Sequence, residues 1–103
     1  MPTANGTVKS IPGGTKFAST FVIDGMQYHF SGNLNFSLPD FSSNEATVEY
    51  TDLGQLTTQR NFDGQIGPDK LSLNIINGPK IVGSLNMPID TASRVSGNGM
   101  WIN

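Results

Sequence analysis

From Tyr28 to Leu38, in YHFSGNLNFSL, apolar and polar side chains alternate almost without interruption. Successive side chains of a strand point to opposite faces. The spacing therefore puts Tyr28, Phe30, Leu34, Phe36 and Leu38 on one side, with Gly32 as a gap. That side is predicted to be core. Gln27, His29, Ser31, Asn33, Asn35 and Ser37 share the other side, which is polar yet carries no permanent charge.

Shorter runs of the same kind fill most of the chain. GTVKSI, TKFASTFVI, ATVEYTD, LTTQRNF, KLSLNII, KIVGSLNM and RVSGNGMWIN read as further strands, divided by Pro12-Gly13-Gly14, PDFSSN, DGQIGPD and PIDTAS. Asp24-Gly25 and Asn77-Gly78 lie between alternating segments, where a two-residue Asx-Gly loop signals a hairpin. Helix is nearly absent. Ser42 to Glu45 fits a capping box, but Thr47 and Val48 follow and no 3.6-residue period continues, so it supports one turn at most. About eight short strands in a chain of 103 residues predict one all-β domain over residues 1–103. The expected form is an antiparallel β-sandwich, with a jelly-roll-like arrangement or a small barrel as the alternative. An internal repeat points to a two-hairpin plan: Ile23-Asp24-Gly25 leads to SGNLNFSLPD, and Ile76-Asn77-Gly78 leads to VGSLNMPID. Gly32 and Gly83 would then admit close packing or a bulge, and Leu34 and Leu85 would fill the core.

Composition narrows the chemistry. Only 14% of residues are charged, against about 25% in an average domain, so the surface must rely on Asn, Ser, Thr and Gln. The net charge is -2 and the six basic residues are dispersed along the chain, which gives no basic stripe for nucleic acid. Without cysteine there is no disulfide framework, thiolate nucleophile or zinc-thiolate site. No run approaches the roughly 18 apolar residues of a spanning helix, so membrane spanning is not expected. MPTANGTVKSIPGG has neither the charged n-region nor the apolar h-region of a signal peptide, and the expectation is a soluble chain without a conventional export signal.

Candidate catalytic groups have plainer readings. His29 is the only histidine and has no nucleophile elbow or partner base around it. Asp24, Asp63 and Asp90 sit where short carboxylates accept backbone hydrogen bonds in turns. DGQIGPD offers oxygens to calcium at Asp63 and Asp69 but lacks the dense acidic pattern of a calcium loop. SGNGMW is not followed by a helix, so it cannot act as a phosphate loop. No catalytic residue, metal site or cofactor is assigned, and the chain is read as non-enzymatic.

The neutral polar face remains. The composition, short and cysteine-free with abundant Asn, Gly, Ser and Thr, is similar to that of small lectin-like and jelly-roll proteins. The favoured reading is a lectin-like module that binds a carbohydrate or glycoconjugate through amides and hydroxyls, with Gln27, His29, Asn33 and Asn35 as binding residues. Trp101 is a weaker addition, either stacking on a sugar ring or anchoring the last strand. The alternative is a structural or self-assembling protein, possible as a homo-oligomer or at a membrane surface, that acts through its sheet edges. A small hydrolase using two carboxylates is a remote third.

Overall fold

The computed structural model describes residues 2–76, 78–89 and 92–102. Eight strands follow in order: β1 (Thr3–Ile11), β2 (Lys16–Ile23), β3 (Met26–Leu34), β4 (Ser42–Glu49), β5 (Gln59–Ile66), β6 (Lys70–Ile75), β7 (Lys80–Ser84) and β8 (Ser93–Ile102). All pair antiparallel, in the closed order β1-β2-β3-β8-β5-β6-β7-β4 and back to β1. The expected sandwich is thus replaced by its alternative, a small barrel. Two packed sheets would leave open edges, whereas here β3–β8 and β4–β7 join the halves on both sides.

Each half is a Greek key. β1, β2 and β3 form consecutive hairpins and β4 returns beside β1; β5, β6 and β7 do the same and β8 returns beside β5. Advancing every strand number by four reproduces the circular order, so the topology has a two-fold. The sequence repeat lies on equivalent elements of it. Asp24 and Gly25 turn β2 into β3 with φ of 51° and 79°, the geometry of a type I′ hairpin, and Ile23 pairs with Met26 across it. Gly78 stands in the β6–β7 turn, while Asn77 lies outside the described residues. Leu34 ends β3 and Leu85 directly follows β7, and both are buried. The asparagine after each leucine acts alike: Asn35 Oδ1 accepts from the Ser96 amide at 3.1 Å, and Asn86 Oδ1 from the Asn44 amide at 3.0 Å.

That clamp explains one departure from the alternation. β3 ends at Leu34, Asn35 turns its side chain to β8, and Phe36 is left 40% exposed instead of joining the core. Leu38 then folds back as a buried plug. DGQIGPD is not simply a loop, because β5 runs through Asp63, Gly64 and Gln65 to the buried Ile66. Ser42 to Glu45 is strand rather than a helical turn, and Ser43 is fully buried. The capping box occurs instead at Asp52 and Gln55, around a single 3-10 turn at Leu53–Gln55. This segment links the two Greek keys, since β4 and β5 are not neighbours.

The interior is filled by side chains, as an eight-stranded barrel requires. Phe17, Phe30 and Phe62 meet with ring centroids 5.4 to 6.1 Å apart, two of the three pairs edge-to-face, and the Trp101 ring lies 4.9 Å from Phe30 at a tilt of 48°. Leu38, Phe41, Leu85 and Ile89 close one end, and Leu56 seals the other. The outward positions are mostly Ser, Thr, Asn, Gln and Lys, the reverse of a barrel whose outer band faces lipid. Closure also removes the open edges through which self-assembly was expected to act.

Phe30→Ala should cost roughly 3 to 5 kcal/mol, because the ring is fully buried, whereas Phe36→Ala should cost less than about 1 kcal/mol. Urea midpoints of the two variants measure the difference, and equal losses would mean that the strand phase is misplaced. The two-fold makes a second prediction. Residues 50–58 link β4 to β5, so nine residues of similar composition should link Ile102 to Thr3 at the same barrel end. A chain permuted this way and opened between Asp52 and Leu53 should keep the β-sheet circular dichroism and one cooperative melt; loss of both would refute the equivalence.

Candidate functional site

Outward residues of β2, β3, β8 and β5 form rows across the barrel wall. One row is Lys16, Asn33, Asn98 and Asn61, each directly opposite the next. The adjoining row is Ala18, Ser31, Met100 and Gln59, and the next is Thr20, His29 and Ile102. Between the first two rows, on the inward side, Gly32 pairs with Gly99. A Cβ on Gly32 would overlap the Phe17 ring, and one on Gly99 would overlap the Phe30 ring and the Ser31 carbonyl. Both glycines are therefore required for the sheet to lie directly on the aromatic cluster.

Over this pair the outer surface holds a shallow, open depression of about 350 Å3. Ser31, Asn33, Gln59 and Asn98 supply its polar lining, and Ile11, Met100 and Ile102 its apolar lining. Lys16 is the one charged residue that lines it. Asn33 Nδ2 donates to Asn98 Oδ1 at 3.0 Å across the β3–β8 seam. This bond holds the two amides side by side and leaves Asn33 Oδ1 and Asn98 Nδ2 without a protein partner among the described residues. An acceptor and a donor are thus presented together on a rigid wall.

The other residues singled out in the sequence are dispersed. His29 is on the same face and half-buried, with Nδ1 2.9 Å from Thr20 Oγ1. Four residues of strand separate it from Asn33, about 13 Å. Gln27 is exposed on the same face roughly 20 Å from Asn33, beyond the last β3–β8 pair. Asn35 is committed to the Ser96 amide. Trp101 is inside the barrel at 5% exposure, with its indole Nε1 buried and without a hydrogen-bond partner, so its ring cannot stack on an external sugar. Of the five, only Asn33 belongs to the depression.

Lys16, Ser31, Gln59, Asn98 and Met100 were not singled out. The alternation of RVSGNGMWIN holds the missing signal: Val95, Gly97, Gly99 and Trp101 point inward, which turns Asn98 and Met100 outward. The neighbour of β8 could not be read from that pattern.

The equivalent seam between β7 and β4 is chemically different. There Gly83 pairs with Ala46 and Ser84 with Glu45, so no amide pair forms. Other surface depressions contain Asp63 with Arg94, Asp40 with Lys9, and Glu45 with Asn44. Among the described residues no group of three or more His, Cys, Asp or Glu could hold a metal ion. No helix of the described residues is long and apolar enough to cross a membrane. No protein-family model matches the chain, and no curated protein or solved structure matches it either.

Asn35→Ala removes the acceptor of a strand amide and should lower stability by about 1 kcal/mol, as should Asn86→Ala at the equivalent clamp. Asn33→Ala breaks only an exposed side-chain pair and should change stability by less than about 0.5 kcal/mol. Chemical denaturation of the three variants separates clamp from surface residue, and a larger loss for Asn33→Ala would reverse the assignment.

Proposed function

We propose that this protein is a non-enzymatic, lectin-like module that binds carbohydrate in the depression over the Gly32–Gly99 pair. The observation that carries the reading is the Asn33–Asn98 amide pair. Each sugar hydroxyl is both a donor and an acceptor. Two adjacent hydroxyls can therefore donate to Asn33 Oδ1 and accept from Asn98 Nδ2 together. Ser31 and Gln59 add neutral hydrogen-bonding groups, and Ile11, Met100 and Ile102 offer an apolar rim to the C–H face of a sugar ring. The shape favours recognition over catalysis: the depression is open and no carboxylate lines it. Binding of a single sugar unit should accordingly be weak, with Kd on the order of 1 mM, and should strengthen when several units are displayed together.

A second reading rests on the exposed apolar side chains of the same wall. Val22, Met100 and Ile102 are each close to half exposed, which suits contact with a protein partner or a second copy. Such contact would use the barrel wall rather than a sheet edge.

A glycan array distinguishes the two. The wild type should bind selectively, and the Asn33→Ala/Asn98→Ala double variant should lose at least about tenfold in binding while keeping its circular dichroism and melting temperature. A blank array, or equal binding by the double variant, would remove the carbohydrate reading. A blank array together with a mass that rises with concentration would favour the partner reading.

A further inference from the structure

We infer that the groove selects an acidic saccharide, with a sugar carboxylate of the uronic acid type held by Lys16 beside the hydroxyl pair held by Asn33 and Asn98. The inference rests on the carbohydrate reading of the same groove and adds a ligand class to it. Lys16 is exposed and directly opposite Asn33 in the β2–β3 register. Residues so paired have Cβ atoms about 5 Å apart, so an ammonium on a four-carbon stem can reach over its neighbour. A uronate ring carries its carboxylate next to adjacent hydroxyls. One such ring can therefore span the Lys16, Asn33 and Asn98 row.

The charge at this end of the row is not cancelled locally. Among the described residues no carboxylate pairs with Lys16, and none lines the groove. Lys9 lies one strand further on β1 and shares a separate depression with Asp40, so the charge facing the amide pair belongs to Lys16. A neutral sugar would leave this ammonium without a counterpart, and a basic sugar would be repelled by it.

The test uses two disaccharides of the same linkage, one built from glucuronate and one from glucose, titrated into the isotopically labelled protein. The side-chain amide resonances of Asn33 and Asn98 report binding at the site. The acidic sugar should bind about threefold to fivefold more tightly at low ionic strength, and the preference should fade in high salt. Lys16→Gln should make the two sugars equal, while Lys16→Arg should keep the preference. If both sugars shift the amides equally in the wild type, or if Lys16→Gln keeps the preference, the acidic class is wrong and the carbohydrate reading stands. If neither sugar nor any other glycan moves the two amides, both fall together.

Discussion

Phe17 and Phe30 lean against the backbone of Gly32 and Gly99, and closure of the barrel depends on this exchange of side chain for ring. At Gly97 a Cβ would overlap the Asn33 carbonyl, so β3 and β8 approach there only because the side chain is absent. An eight-stranded barrel has room for one layer of packed side chains across its width. Three phenylalanines and a tryptophan in that layer leave no space for side chains on the wall above them. The hydrophobic gain of burying the rings and the hydrogen bonds of the seam are therefore won together.

The outside surface inherits this arrangement. A dry, rigid seam gives the two asparagines fixed backbones, so their side chains meet at hydrogen-bond distance without help from a mobile loop. The polar groups at the site are neutral except for one lysine, in keeping with the low charge of the whole chain. A surface of this kind offers hydrogen bonds of fixed direction and little clustered charge.

Local features of the fold were legible in the sequence. The alternation located the strands, and Asp24-Gly25 gave its hairpin because a type I′ turn needs positive φ at both positions. The repeat around Gly-x-Leu-Asn marked equivalent strands. What could not be read was pairing between segments far apart in the chain. β8 lies against β3 because of how the two keys face each other, and no local pattern encodes that. Asn98 consequently went unnoticed beside Asn33, and Asn35 passed for a surface residue although its oxygen serves the backbone of β8. Phe36 misled for a related reason, since alternation reports a face only while the chain stays in the sheet. Trp101 shares the inward phase of Val95, Gly97 and Gly99, so of the two roles open to it the anchoring one fits its burial.

The two Greek keys share a plan but not a surface. Gly32 and Gly99 face each other in one seam, with asparagines beside them, while the other seam has Gly83 against Ala46 and Ser84 against Glu45. In a symmetric pair of identical half-barrels every substitution would appear in both seams at once. Carrying both halves on a single chain lifts that restriction. One seam is then free to specialise while its counterpart holds the ring shut, so divergence between the halves need not weaken the barrel.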